Sequence, residues 1–274
     1  MTRITELKVG KVKVTALKDG ELSLPAEVLL NLSKVDRGTI ESDEKNSLSL
    51  SNINAYLVQS GEKNLLIDAG CRDLFGPTCG YLCEALEEAG LKPKDITDVF
   101  LTHLHPDHMA GVIDTGGTSV FKNAILKVME VEYDFWRAGN FEAVEVNGAD
   151  WASLAKSVIA SYSDRLEILQ KDSEVISGVS VISIPGHTPG HAGFRVDDGE
   201  QSLIHLGDII HVPNLQLFDV NISTVFDIDS EIALKSRKDM LDMASADKIL
   251  CTSGHMLSPK FGHIEKVGSK YAVV

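Results

Sequence analysis

The sequence predicts an α/β protein in which two β-sheets pack face to face and helices cover their outer surfaces. The first observation is the order of the elements, because strand patterns are followed by a helical pattern and this order occurs twice along the chain. The second is composition, since hydrophobic residues make up 43% of the 274 residues, enough for a sizeable core. The sequence also contains no internal repeat, low-complexity tract or linker. We therefore expect residues 1–274 to form a single domain.

Strand patterns dominate the N-terminal part of the chain. Residues 1–50 contain strand-like alternation at Lys11–Leu17 and a loop around Pro25. They also contain a charged, turn-rich stretch at Ser42–Asn46. A predicted pair of strands follows, joined by Ser60-Gly61, over Ile53–Val58 and Asn64–Asp68.

A helix and a short strand come next. Gly90 and Pro93 end a predicted helix whose apolar residues recur at helical spacing, namely Leu82, Ala85, Leu86 and Ala89. The segment Ile96–Leu101 predicts a short buried strand.

Residues 129–165 interrupt this rhythm of strands. Aromatic residues crowd there among Gly139, Asn140 and Gly148, and a helical pattern follows at Leu154–Ile159; the aromatic residues are Tyr133, Phe135, Trp136, Phe141 and Trp151. We expect an irregular insertion, for which two roles stay open. It either forms a satellite core under a long loop, or it forms one wall of an apolar pocket or a dimer contact that shapes that pocket.

The C-terminal part returns to strands and ends with a helix. Strands are predicted over Val179–Ile184, Gly193–Val196 and Gln201–Leu206, and a helix over Ser230–Ala244.

The segment Thr102–His108 is the most informative part of the sequence, because it places three of the nine histidines and an aspartate within six positions. Imidazole and carboxylate groups are ligands for zinc, manganese, iron and cobalt. His103 and His105 face the same way on an extended segment and can hold one ion. If the chain turns at Pro106, Asp107 and His108 can reach a second ion. The alternative is a polar loop whose histidines bind nothing.

This His-x-His-x-Asp-His segment resembles the signature of the metallo-β-lactamase superfamily. Four further segments resemble that family's other motifs, in the same chain order: Leu65–Gly70, Ile182–His191, Leu203–Asp208 and Ile249–His255. The resemblance covers about residues 50 to 274. It implies the family's four-layer αββα sandwich.

The resemblance also implies roles for individual residues. Three further metal ligands correspond to His187, Asp208 and His255, with Asp208 between two ions. The ligands then divide into His103, His105 and His187 on one ion, and Asp107, His108 and His255 on the other. Asp68 is expected to hold the metal loop, and His191 to support the fold. We expect two divalent ions, zinc above manganese, iron or cobalt, and no other cofactor.

Two adjacent dications would lower the pKa of a shared water and hold the resulting hydroxide as the nucleophile. Asp107 could then accept a proton as the tetrahedral species collapses. The expected reaction is hydrolysis of a small-molecule ester, lactone or phosphotriester. A thioesterase with the same centre and a non-catalytic metal-binding regulator with the same fold are the alternatives.

Within the superfamily, the chain most resembles the branch that contains methyl parathion hydrolase. The residues that carry this likeness are Gly207–Gln216, Val225–Asp229 and His255–His263. N-acyl-homoserine lactonases often have a tyrosine where this chain has His211. This difference weakens the interpretation of the chain as an N-acyl-homoserine lactonase. His211 is a candidate hydrogen-bond donor to substrate, with a structural role as the alternative. His263 is expected to be structural.

Composition limits the partners. With 26 basic and 40 acidic residues, the net charge of −14 disfavours nucleic acid and anionic membranes. No apolar run approaches the ~18–20 residues of a membrane span, and the N-terminus lacks a signal-peptide pattern, which predicts a cytoplasmic protein. Four cysteines do not form a disulfide framework, and Cys79 and Cys83 are expected to be buried. A homodimer is possible.

Overall fold

The fold is given by a computed structural model, which describes residues 2–42, 47–139, 148–258 and 260–274. Most of the predicted turn-rich stretch at Ser42–Asn46 lies outside the described residues, as do Asn140 and Phe141 of the aromatic segment.

Seven strands form the first large sheet, in the spatial order β1-β2-β4-β5-β6-β7-β8. In chain order these strands are β1 Ile4–Val9, β2 Val12–Ser23, β4 Leu50–Ser60, β5 Lys63–Ile67, β6 Asp98–Leu101, β7 Ile125–Met129 and β8 Leu166–Leu169. The strand predicted over Lys11–Leu17 is longer than expected, because β2 continues along β4 past an irregularity in register between Lys18 and Gly20.

The second large sheet also has seven strands, in the order β16-β15-β14-β12-β11-β10-β9. They are β9 Glu174–Ile176, β10 Val179–Ser183, β11 Ala192–Asp197, β12 Ser202–His205, β14 Leu250–Thr252, β15 Gly262–Val267 and β16 Lys270–Val273. A small antiparallel pair joins β3 Leu29–Leu30 to β13 Ser223–Thr224.

Seven α-helices accompany these sheets in the described part of the chain: α1 Lys34–Ser42, α2 Leu82–Glu88, α3 Pro106–Met109, α4 Glu130–Ala138, α5 Gly148–Ser161, α6 Pro213–Gln216 and α7 Ser230–Asp247. The side chain of Asp229 caps α7 by accepting a hydrogen bond from the Ile232 backbone N–H at 2.9 Å. Helix α2 stops before Gly90, which has a φ of +83°, a conformation that glycine adopts without steric cost.

The strands alternate between two hydrophobic cores, which confirms the predicted four-layer sandwich. On β5, Leu65 and Ile67 point into a core between the sheets, where they meet residues of the second sheet such as Phe194. Leu66 points the other way, into a core under α2 and α5. A third core packs α7 against the outer face of the second sheet through Met240, Leu241 and Ala244. The period of two along β5 follows from the pleat of a strand.

Within 129–165, the prediction of irregular structure is wrong for Glu130–Ala138 and Gly148–Ser153, which are helical, whereas the helix predicted at Leu154–Ile159 is confirmed. Helices α4 and α5 occupy it, and Gly139, with a φ of +80°, ends α4. Trp136 is fully buried in the core beside the first sheet, and Tyr133 and Phe135 pack against that core. The helix was missed because its buried face combines Trp136 with the charged Glu132, one turn apart, instead of an apolar stripe.

The buried location expected for Cys83 is also wrong. Helix α2 buries Leu82, Ala85 and Leu86, so that Cys83 points outward, whereas Cys79 precedes the helix and is buried as expected. Among the described residues, no helix is both long and apolar enough to cross a bilayer.

Strand direction brings the motif loops to one edge of the sandwich. In the first sheet β5 and β6 are parallel. In the second sheet β11 is antiparallel to both β10 and β12, and β12 is parallel to β14, so β10, β12 and β14 run the same way. The loops that follow these five strands therefore emerge where the two sheets meet. Two of these loops carry His103 and His255, which are 152 positions apart in the sequence.

Candidate metal centre

The histidine-rich segment has part of the local geometry that the sequence predicts. It starts just after β6 ends at Leu101. His103 lies in a bend, and His105 has an extended backbone, with φ −84° and ψ 154°. Pro106 is the first residue of the short helix α3, where its missing N–H costs no hydrogen bond. Asp107 and His108 lie on this turn. The predicted turn at Pro106 is confirmed.

His103, His105 and His187 form a group that we call the first half-site. One ring nitrogen of each residue lies within 4.8 Å of the others. The Nε2 atoms of His103 and His187 are 3.2 Å apart, and all three side chains are buried. Loops from opposite sheets thus supply this half-site.

Asp107, His108 and His255 form the second half-site. The Asp107 carboxylate lies 3.4 Å from Nε2 of His108 and 3.7 Å from Nε2 of His255. The two histidines are buried, whereas Asp107 is partly exposed towards a cavity.

Asp208 lies between the two half-sites. Its Oδ2 atom is 2.8 Å from Nε2 of His255 and 3.0 Å from Nε2 of His108. The same oxygen is 3.7 Å from Nε2 of both His103 and His187. A single carboxylate oxygen therefore faces donors of both half-sites, which is the position of a bridging group.

The orphaned atoms of this cluster fit bound cations. Nε2 of His105 and Oδ1 of Asp208 are buried and have no hydrogen-bond partner among the described residues. Buried polar groups without a partner are costly, and a metal ion would satisfy them. The donor set is nitrogen and oxygen only, which suits zinc and neighbouring divalent transition metals. The cluster fits two divalent metal ions.

Burial and charge act differently on the two half-sites. Burial lowers the pKa of His103 and His105 well below the usual value, and lowers that of His187 to about 3. Burial alone would also lower the pKa of His108 and His255, but the carboxylates around them, Asp208 foremost, outweigh it and raise both. The carboxylates therefore outweigh burial at the second half-site only.

Buried carboxylates orient histidines in both half-sites. Asp68 accepts a hydrogen bond from Nδ1 of His108 at 2.8 Å, and also one from the Thr102 backbone N–H at 2.8 Å, so it ties the loop as expected. Asp227 contacts Nδ1 of His187 at 2.9 Å. Such contacts fix the ring and leave Nε2 free to bind metal. Asp227 was not among the predicted site residues, although it lies in the run Val225–Asp229 that carried the family likeness.

The remaining histidines separate into structural and pocket-facing groups. Both ring nitrogens of His191 are occupied, Nδ1 at 2.8 Å from the Ile184 carbonyl and Nε2 at 2.9 Å from the Asp208 backbone N–H. His191 therefore supports the Asp208 loop, as expected. His263 is exposed on β15, away from the cluster.

His211 lies against both half-sites. Its ring stacks on His255 with centroids 5.2 Å apart and lies 4.6 Å from the His187 ring. Nε2 of His211 is 3.7 Å from Oδ2 of Asp208. Both of its ring nitrogens are buried without a hydrogen-bond partner among the described residues, and the ring lines the cavity above the cluster.

Glu132 is a further buried acid that the sequence did not single out. It accepts hydrogen bonds from Leu104, Trp136, Thr188 and Gly190, all close to the first half-site. The available signal in the sequence was a glutamate one helical turn from Trp136. It was not recognised because a charged residue on a helix is usually solvated.

A cavity of about 330 Å³ opens above the cluster. Its floor contains His105, Asp107, Asp208, His211 and His255. Its walls are mostly apolar: Leu22, Leu24, Pro25, Val28, Phe75, Trp151 and Phe226. Of the aromatic segment, Trp151 contributes to this wall, with its ring 4.9 Å from that of His105, whereas Trp136 lies behind His105 in the core.

A model of the Metallo-beta-lactamase superfamily matches residues 48–255. The chain belongs to this superfamily. The match spans all of the candidate ligands described above.

Similar proteins extend this assignment. An N-acyl homoserine lactonase from Bacillus cereus is 24% identical over 226 residues, which are 76% of this chain and 82% of that protein. The structure of AidC, described as a dizinc quorum-quenching lactonase in complex with a product, superposes with a TM-score of 0.88 and 25% identity, covering 99% of this chain and 96% of that chain. The hydrolase AbOPH superposes with a TM-score of 0.89 and 26% identity over 100% and 97% of the two chains. The protein is a metal-dependent hydrolase, and the non-catalytic regulator is set aside.

Proposed function

We propose that this protein hydrolyses lactones and related carboxylic esters that carry an apolar substituent. The observation that carries the proposal is the cavity itself, in which apolar walls converge on a floor of metal-binding and hydrogen-bonding groups. The similarity to proteins named as N-acyl homoserine lactonases supports lactones as the first substrate class to test.

The proposed ligands follow the two half-sites. His103, His105 and His187 would hold one ion and Asp107, His108 and His255 the other, and Asp208 would contribute its carboxylate to the centre. Zinc is the proposed metal, because the donor set suits it and AidC is described as a dizinc enzyme. When bound, two adjacent divalent ions supply Lewis acidity towards the ester carbonyl and activate water as the nucleophile.

Asp107 and His211 carry the proton and hydrogen-bond roles in this proposal. Asp107 is the one ligand candidate that is partly exposed to the cavity, so its carboxylate can take a proton and deliver it to the departing alkoxide. His211 offers an unpartnered ring nitrogen at the cavity floor, where it donates a hydrogen bond to the carbonyl or leaving-group oxygen. In this role His211 replaces the tyrosine that many N-acyl-homoserine lactonases have.

The apolar walls bind the substituent and keep bulk water from the reacting carbonyl. Trp151 and Phe226 lie on one side of the cavity, with ring centroids 6.2 Å apart. Leu22, Leu24 and Phe75 form other parts of the wall. The burial of a hydrocarbon chain against these residues is worth about 0.8 kcal/mol per methylene group.

A substrate screen with measured metal content tests the proposal. Purified protein is assayed on lactones with short and long acyl chains, aryl esters, thioesters and phosphotriesters, with elemental analysis of the same preparation. We expect about two ions per chain and the highest kcat/KM on lactones or esters with long apolar groups. A preference for thioesters would favour the thioesterase alternative, and a preference for phosphotriesters would favour the methyl parathion hydrolase-like activity. A folded, active protein without metal would overturn the proposal.

A further inference from the structure

We propose that Glu132 is a positioning residue that selectively builds the first half-site by tying the His105 loop to the His187 loop. This inference rests on the proposed two-ion centre and adds to it a residue outside the ligand set.

Each oxygen of the Glu132 carboxylate serves a different partner pair. Oε1 accepts from the Leu104 backbone N–H at 2.8 Å and from the Trp136 indole N–H at 2.7 Å. Oε2 accepts from the Thr188 hydroxyl at 2.6 Å and from the Gly190 backbone N–H at 3.1 Å. Four donors thus converge on one carboxylate whose residue is fully buried.

These partners flank ligands of one half-site only. Leu104 lies between His103 and His105 in the first sheet's loop, and Thr188 follows His187 directly in the second sheet's loop. Trp136 adds a lateral contact, because its ring lies 5.8 Å from the His105 ring at an angle of 77°. None of the four hydrogen bonds of Glu132 involves Asp107, His108 or His255. The carboxylate is therefore a bridge between the two sheets beneath the first half-site.

The backbone at Gly190 packs closely against the backbone of Glu132. A side chain at Gly190 would overlap the backbone nitrogen of Glu132. The loop after His187 therefore rests directly on the start of α4, and the distance between loop and helix is fixed by backbone contact. A buried carboxylate is costly unless it is hydrogen-bonded. Removal of the Glu132 carboxylate would in turn leave its buried donors unpaired, which is also costly.

Glu132→Gln is the sharpest test, because it preserves size but places an amide NH₂ against one of the two donor pairs. Glu130→Gln is the matched control, since Glu130 is exposed on the same helix. The metal is removed by chelation and Zn²⁺ is titrated back by calorimetry. Anomalous diffraction at the zinc edge then gives the occupancy of each half-site in crystals equilibrated with limiting Zn²⁺.

We expect Glu132→Gln to weaken Zn²⁺ binding at the first half-site by ~10–100-fold and to leave the second within a few fold of the wild type. Glu130→Gln should leave both unchanged. Equal loss at both half-sites, or a lower melting temperature with unchanged Zn²⁺ binding, would overturn the inference.

Thr188→Val provides a second variant if Glu132→Gln does not fold, because it deletes one of the four hydrogen bonds. We expect a smaller loss with the same selectivity, and a non-selective result would reject the role of Glu132. Failure of the proposed function gives a different result from failure of this inference. A wild-type protein that binds no Zn²⁺ would refute the metal centre itself.

Discussion

The two half-sites share the segment Thr102–His108, and each adds one distant histidine, His187 or His255, but they differ in chemistry and support. The first contains three imidazoles whose pKa burial lowers, whereas the second combines Asp107 with histidines whose pKa is raised by nearby carboxylates. Asp227 and Glu132 support the first. Asp68 contacts His108 of the second directly, and it reaches His103 of the first only through the Thr102 hydroxyl, which lies 3.1 Å from Nδ1 of His103. Asp208 contacts both.

This difference predicts that two ions bound at the proposed sites would not be equivalent. An ion in the first half-site would have neutral ligands apart from the shared Asp208, while an ion in the second would also meet the charge of Asp107. The apolar wall borders both half-sites, since the Trp151 ring lies 4.9 Å from that of His105, and Leu22 pairs with Ser51, next to the Asn52 carbonyl that contacts His255.

The largest effect is expected from Asp208→Ala, because this change removes the group that the two half-sites share. Metal content should fall at both half-sites, and kcat/KM should fall by more than the ~10–100-fold that outer-shell changes cost. Elemental analysis and ester hydrolysis measure the two effects. Full retention of one ion at wild-type affinity would argue that Asp208 belongs to a single half-site.

His211→Ala tests the group that touches both half-sites without being a proposed ligand. We expect kcat/KM on esters to fall by about 10²-fold with metal content unchanged, since a hydrogen bond to the developing charge is lost. His263→Ala is the control, because His263 is exposed on β15. Unaltered kinetics across several esters would make His211 a structural residue, and lost metal would make it a ligand.

A matched pair of outer-shell variants tests whether the supports are independent. Asp227→Asn should weaken metal binding at the first half-site by ~10–100-fold. Asp68→Asn should weaken it by a similar factor at the second half-site and less at the first, which Asp68 reaches only through Thr102. Zinc-edge occupancies measure the two half-sites separately. If either variant empties both half-sites alike, the two ions are coupled and the half-sites do not have separate supports.

The smallest effect is expected at the pocket wall. Trp151→Ala should raise KM for long-chain or aryl substrates by about tenfold and change KM for short aliphatic esters much less, because only the apolar contact is lost. Phe135→Ala is the control, since Phe135 packs against the core and does not line the cavity. It should lower the melting temperature without changing the ratio of the two KM values. A similar ratio change in both variants would place the selectivity elsewhere.

The sequence was sufficient for the sandwich and for the residues that meet at the centre. Ligand spacing within Thr102–His108 is local chemistry, and the other motifs each follow a strand, so parallel strand directions carry their loops to one edge. The long, regular elements, such as β4 and α7, were likewise visible as periodic patterns. Only the cluster within Thr102–His108 is specified by neighbouring residues, whereas the resemblance to the superfamily was needed to add His187, Asp208 and His255 to the centre.

Only the tertiary structure decided which residues support and surround the centre. Glu132 meets Thr188 across 56 positions, and Asp227 meets His187 across 40, so no local pattern marks either contact. The same holds for the pocket, where Leu22 from β2 faces Trp151 from α5, while Trp136 turns out to be core. A buried charge is tolerated only where distant donors converge on it, and that convergence exists only in the folded chain.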